Sequence, residues 1–230
     1  IAAEAVEEAR SRVARLIGSD ASEIFFTSSG TESNNFALKG IARARAKKTG
    51  AKRIVISAIE HHSIAHAARR LSADGYEIVQ LPVDSSGIVD PLELKKALDG
   101  DQTCLVSIQH ANAEIGTIQN IAELSAIARE YEVPFHTDAV ASAGQIGCNV
   151  DDLGVQAMSL ASAPLGGPKG VGALYLRKGT KALPILDGGV QERGLRAGTE
   201  NVPGIVGMGR AFELADGRLD ETRRTLTAMR

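Results

Sequence analysis

Ser28-Ser29-Gly30-Thr31 follows the apolar run Ile24 to Thr27 and opens a helical pattern that extends to about Lys48. A strand, a small-residue turn and a helix N-terminus make an anion site, because unpaired N–H groups and the positive end of the helix dipole meet at one spot. The same turn also serves as a plain helix cap. His62 and His66 stand four residues apart, a spacing that puts two metal ligands on one helix face. No carboxylate or cysteine set accompanies them, so the pair reads as surface polar residues. Asp138 follows the apolar run Val133 to Thr137, and open α/β sheets place ligands at the C-terminal ends of their strands. A strand-end aspartate is a structural cap as readily as a ligand. Cys104 sits in the apolar run CLVSI and Cys148 in the loop-like IGCNV, and neither reads as a poised nucleophile.

These groups need a frame, and hydrophobic periodicity supplies one. Val6, Ala9, Val13, Leu16 and Ile17 recur at helical spacing, and Gly18 is placed to end that helix. Ser63 reads as the cap of a helix through Ile64, Ala67, Ala68 and Leu71. Asp90-Pro91-Leu92-Glu93 is a helix start, and Asn120 with Glu123 three residues on caps another. From Gly204 to Arg230 the chain reads as one helix loosened by Gly204, Gly207 and Gly209. Strands are expected at Ile24 to Thr27, Arg53 to Ser57, Glu77 to Leu81, Cys104 to Gln109, Val133 to Thr137, Ala157 to Leu160 and Val171 to Leu176. The last two are joined by a loop rich in proline and glycine, which forbids continuous helix or sheet. Strands alternating with helices predict an α/β fold with a mostly parallel seven-stranded sheet flanked by helices.

The residues at these strand ends carry a resemblance. TSSGTESNN from Thr27 to Asn35, His61, HANAEIGT from His110 to Thr117 and HTDAVA from His136 to Ala141 are similar to motifs of cysteine desulfurases. So are the loop from Ala161 to Gly170 and the segment from Val190 to Pro203. That family comprises class V aminotransferases of the fold type I pyridoxal-phosphate (PLP) group. The resemblance implies that Thr31 binds the PLP phosphate, His61 stacks on the ring and Asp138 pairs with the protonated ring nitrogen. Thr199 falls on a residue that reaches the phosphate in the neighbouring subunit of a homodimer. Spacing alone favours a helix-start structural role for His61; the resemblance reverses that preference.

The chain also departs from the family pattern. Aligned on Gly167-Pro168-Lys169-Gly170, the family's serine falls on Ala161, its histidine on Ala163 and its Schiff-base lysine on Pro164. Ala113 stands at a cofactor-contacting asparagine and Ala141 at a glutamine. No catalytic residue is therefore expected, and PLP is expected to be non-covalent or absent. Lys169 lies five residues beyond Pro164, up to roughly 17 Å along an extended chain, and matches a different lysine of the family. The implied function is a sulfur-transfer protein of iron–sulfur cluster assembly with ordinary PLP catalysis disabled. An active desulfurase using Lys169 or non-covalent PLP, converting L-cysteine to L-alanine plus a persulfide, is the enzyme alternative. A phosphate-ester-binding domain is the third reading. The resemblance further implies one large cofactor-type domain over 1–230, without the family's N-terminal segment, its small C-terminal domain or its mobile-loop cysteine.

Composition narrows the partners. The chain is 43% hydrophobic and 23% charged, enough apolar content for a sizeable core and too little charge for disorder. A net charge of -2 and a pI near 6.3 give no footprint for nucleic acid or an anionic membrane. The basic run from Lys39 to Arg53 reads as a solvated face near a helix end. Neither a membrane-length apolar run nor a signal peptide is apparent. Two cysteines without CxxC spacing suggest a reducing compartment, and cytoplasmic localisation is expected. The partners implied by the family are a second copy of the chain and an iron–sulfur scaffold protein.

Overall fold

The computed structural model describes residues 1–100 and 102–229. Seven strands form one sheet: β1 (Ile24–Thr27), β2 (Arg53–Ser57), β3 (Glu77–Leu81), β4 (Thr103–Ser107), β5 (Phe135–Asp138), β6 (Ala157–Ala161) and β7 (Gly172–Leu176). Their order is β1-β7-β6-β5-β4-β2-β3. The pairings from β3 through β2, β4 and β5 to β6 are parallel, whereas β7 runs antiparallel to both β6 and β1. The α/β, mostly parallel, seven-stranded expectation holds. Strand bounds shift by a residue or two: β5 begins after Val133 and Pro134, and β4 ends before Gln109.

Helices cover both faces. On one, α1 (Ala2–Ile17), α5 (Pro91–Leu98), α6 (Ile121–Glu130) and α8 (Val202–Asp216) contribute Val13, Ile17, Leu94, Leu124, Met208 and Phe212 to a core under Phe26, Val106 and Leu160. On the other, α2 (Gly30–Phe36), a π turn (Ala37–Ile41), α3 (Ala42–Thr49) and α4 (His62–Ala73) bury Phe36, Leu38, Ile41, Ile64 and Leu71 against Phe25, Ile54 and Leu105. A sheet buried on both faces has continuously apolar strands, and the residues of β1, β4, β6 and β7 are buried throughout. A short helix α7 (Val150–Leu153) and a last helix α9 (Leu219–Met229) complete the order.

Several expectations need correction. The cap of α4 is His61, whose Nδ1 accepts from the Ser63 N–H at 3.1 Å, while Ser63 itself is buried inside the first turn. Asn120 does not cap α6 with its side chain; its Nδ2 donates to Glu123 Oε2 at 2.7 Å. The segment after Gly204 is two helices, α8 and α9, divided at Gly217 and Arg218, with Arg230 outside the described residues. Its glycines do not loosen it. A Cβ on Gly209 would lie 2.6 Å from Ala9 Cα, so the missing side chain is what lets α8 pack closely on α1.

A buried ion pair ties the segment after β7 to this frame. The Arg10 guanidinium donates to both Glu192 oxygens at 2.8 and 2.9 Å, and Glu192 Oε2 also accepts from the Phe26 N–H at 2.9 Å. Glu192 and Arg193 both adopt positive φ, 44° and 58°, a conformation uncommon for side-chain-bearing residues. The buried pair holds this turn in place.

Candidate functional site

The ends of β1, β2, β4, β5 and β6 open on one edge of the sheet, and the turns that follow them carry the polar residues of interest. After β1, Ser29 caps α2 by accepting from the Glu32 N–H at 3.1 Å. Thr27 Oγ1 and Ser33 Oγ each donate to Ser29 O at 3.1 Å, which fixes the turn from below. Thr31, in the first turn of α2, is exposed. Gly172, at the start of β7, has no side chain because a Cβ there would strike Ser29 C at 2.6 Å. The turn is thus seated directly on the sheet.

Asn34, one helical turn after Thr31, joins this cradle to the neighbouring strand ends. Its Nδ2 donates to Asp138 Oδ2 at 2.6 Å and to Ser63 Oγ at 2.8 Å. Ser63 Oγ in turn pairs with His61 Nδ1 at 2.7 Å. Asp138 is buried at the end of β5, and its other oxygen accepts from the Val140 N–H at 2.9 Å. Burial raises the Asp138 pKa, against the opposing effects of the Val140 and Asn34 hydrogen bonds and of His61. His61 and Asp138 are therefore linked through Ser63 and Asn34, while Thr31 is tied in by Asn35, whose Nδ2 donates to Thr31 O at 3.0 Å and to Ser63 O at 3.4 Å. In the sequence Ser63 reads only as a helix cap, and Asn34 is signalled only by the ESNN run.

Thr199 is not part of that network. It is exposed on the loop before α8, and the loop is fastened to α2 by Arg196, whose Nε and Nη2 donate to Glu32 at 2.7 and 3.1 Å. Burial opposes the Glu32 charge, but hydrogen bonds from Arg196 and Ser28 outweigh it, and the pKa is lowered. β6 ends at Ala161 and the loop after it begins at Ser162, with Ala163 and Pro164 exposed in a short 3-10 turn (Ala163–Leu165). Lys169 is exposed further along it.

Beneath the edge lies a second polar layer. His136 bridges β4 and β6, pairing with Ser107 Oγ at 2.8 Å and Ser159 Oγ at 2.9 Å, and burial pushes its pKa down to about 3. His110 pairs with Ser142 Oγ at 3.0 Å, and burial lowers its pKa to about 4. Both rings are neutral at pH 7 and serve as fixed hydrogen-bonding groups. Cys104 and Cys148 are buried thiols pushed up to about 12 and about 11. His62 and His66 stack with ring centroids 5.3 Å apart, but among the described residues no group of three or more His, Cys, Asp or Glu is placed to hold a metal ion.

A cavity of about 550 Å³ opens elsewhere, at the N-terminal side of β5, among Arg45, Lys48, Arg129, Glu132, Arg177 and Lys181. Arg45, Lys48 and Arg129 lie toward the C-terminal ends of α3 and α6, where cations complement the helix dipoles. Among the described residues no helix is long and apolar enough to cross a membrane.

The parallel strands, the reversed β7 and a phosphate-type cradle at the β1–α2 turn define a fold type I PLP scaffold. The chain belongs to the class V aminotransferase family: residues 1–229 match the family described as Aminotransferase class-V. It is 54% identical over 226 residues to a cysteine desulfurase IscS of Dictyoglomus turgidum, covering 98% of this chain and 57% of that protein. Identity to the cysteine desulfurase IscS of Methanosarcina thermophila is 50%, with 98% and 55% covered. Among solved structures it is similar to a NifS-like protein, with a TM-score of 0.91 and 43% identity over 96% of this chain and 60% of that one. The chain thus spans a little over half the length of these relatives.

The residues present fit part of the family's cofactor. The exposed Thr31 at a helix N-terminus suits a phosphate. Asp138 is a buried acid whose carboxyl has amide partners, and a protonated ring nitrogen would supply the cation that favours its charged form. His61 is exposed with its Nδ1 already engaged, leaving a ring face free to stack. Pro164 has no amine with which to hold the cofactor covalently.

Proposed function

We propose that the chain is the cofactor-type domain of a cysteine-desulfurase-like protein of sulfur transfer and iron–sulfur cluster assembly, retained as a scaffold and disabled for ordinary PLP catalysis. The observation that carries this is Pro164 at the position aligned with the Schiff-base lysine, in a chain whose polar frame of Asn34, Ser63, His61 and Asp138 is hydrogen-bonded. PLP enzymes hold their aldehyde on a lysine amine that also moves protons, and proline has neither that amine nor a backbone N–H. In this reading Thr31, His61 and Asp138 hold the cofactor or a related phosphate ester without a covalent bond. Thr199 of one subunit reaches the phosphate of the other in a homodimer, and an iron–sulfur scaffold protein is the docking partner in the cytoplasm.

Neither Cys104 nor Cys148 suits the persulfide-carrying role. Sulfur transfer through a persulfide needs a thiolate, and burial holds Cys104 and Cys148 protonated at neutral pH. The test is borohydride reduction of the protein incubated with PLP, followed by peptide mass mapping. No pyridoxyl peptide is expected. A pyridoxyl group on Lys169 would overturn the proposal in favour of an active desulfurase.

A further inference from the structure

Glu60 immediately precedes His61, and its carboxyl is sealed although part of the residue reaches solvent. Its Oε1 accepts from Ser57 Oγ at 2.5 Å, at the end of β2, and from the Gln109 N–H at 2.9 Å, just past the end of β4. Its Oε2 is buried with no hydrogen-bond partner among the described residues. The neighbouring carbonyl, Ile59 O, accepts from Gln109 Nε2 at 2.6 Å and from Asn112 Nδ2 at 3.1 Å. Three of these four bonds run from residues 109–112 into residues 59 and 60, so the turn that presents His61 is fastened to the turn that presents Ala113.

We propose that Glu60 is a positioning residue of this site, a neutral acid that locks the His61 turn onto the 109–113 turn so that the two form one rigid wall of the ligand cradle. The proposal rests on the reading above that a ligand occupies this edge. A carboxylic acid suits the place better than a carboxylate. One oxygen has two donors and the other has none, and an ionised group would leave the bare oxygen charged inside the protein. Asp138, at the end of β5, faces it as a second carboxyl, and His61 offsets Asp138 in turn. Ser57 and Gln109 are uncharged, while the His110 ring is turned to Ser142 and Cys148 and held neutral by burial. Burial accordingly raises the Glu60 pKa to about 8, with the Asp138 charge adding to the rise. Below that pH the wall is locked; above it the charge forces the buried oxygen toward water and frees the turn.

The test compares wild type, Glu60→Gln and Glu60→Ala by amide hydrogen exchange and by equilibrium dialysis against PLP at pH 7 and pH 9. Gln keeps a neutral oxygen acceptor, so E60Q is expected to retain the protection factors of the Gln109 and Ser63 amides at both pH values. Wild type is expected to match it at pH 7 and to lose protection at these amides by tenfold or more at pH 9. E60A is expected to lose it at both, with the amides of β5 and β6 still protected. Equal pH dependence in wild type and E60Q, or full Gln109 protection in E60A, would overturn the proposal. If E60A does not fold, the comparison of wild type with E60Q decides alone. Exchange that behaves as described with no PLP bound in any variant would sink the ligand reading and leave the clamp standing.

Discussion

Asn34 Nδ2 lies 2.6 Å from Asp138 Oδ2, and this one contact joins the turn after β1 to the end of β5. The same nitrogen holds Ser63, so three strand ends meet at one amide. Asn34→Ala is expected to leave the buried Asp138 carboxyl with the Val140 N–H as its remaining partner. Leaving a buried polar group short of a partner costs about 1–3 kcal/mol, and the urea midpoint of N34A is expected to fall accordingly. An unchanged midpoint would show that water replaces the amide.

The cradle at Thr31 needs no lysine to attract an anion, because the donors are backbone amides and a hydroxyl at a helix N-terminus. Titration with inorganic phosphate, sulfate and PLP is expected to give saturable binding, weakened by Thr31→Ala. Identical affinities in the two proteins would remove Thr31 from the site.

Pro164→Lys returns an amine to the loop after β6 and is expected to give a borohydride-fixable PLP adduct at low occupancy. The polar companions remain alanines, and each missing hydrogen bond costs about 0.5–1.5 kcal/mol. A variant that also carries Ala113→Asn, Ala141→Gln, Ala161→Ser and Ala163→His is expected to reach a given occupancy at lower PLP concentration. Peptide mapping of the reduced adducts reads the result. A modified lysine other than the one introduced would show that the loop is misaligned.

Gly209→Ala tests the contact between α1 and α8. Alanine favours a helix by up to about 1 kcal/mol over glycine, yet its Cβ would sit 2.6 Å from Ala9 Cα. Overpacking of this kind costs about 1–3 kcal/mol, so net destabilisation is expected. A variant more stable than wild type in urea would mean that the two helices part freely.

Glu60 and the two buried histidines are expected to pull stability in opposite directions as pH changes. Glu60 has a folded pKa raised to about 8 from the model-peptide value of 4.5, so it stays protonated in the native state while the unfolded state releases its proton. Its contribution is complete below pH 4.5 and is lost as pH rises to about 8, a loss on the order of a few kcal/mol. His110 and His136 have folded pKa values lowered to about 4 and about 3, so the unfolded state takes up protons first as pH falls below 6.5. Their stabilising effect is lost on acidification. Between pH 5 and pH 8 the denaturant midpoint of wild type is expected to lose ground steadily to that of E60Q; parallel curves would show that Glu60 ionises normally.

The sequence by itself determined the layers and the order of elements. Its apolar runs were long enough for a sheet buried on both faces, its helical spacing was regular, and the turn chemistry at Ser29 and Asp90 is local enough to be read from neighbouring residues. The small-residue turn, His61 and Asp138 were legible for the same reason. Tertiary structure decided what local spacing does not encode. Ser63 reads as a cap, yet Asn34 from another helix draws it inside and leaves His61 to cap α4. Gly209 reads as a weak point in a helix, yet Ala9, 200 residues earlier in the chain, makes the small residue a packing requirement. Glu60 reads as one more charge beside a histidine, and only the strand end that arrives from β4 closes over it and makes it a buried acid. A side chain's partners, and with them its proton, are set by groups that meet through the sheet order, which no short window of the sequence contains.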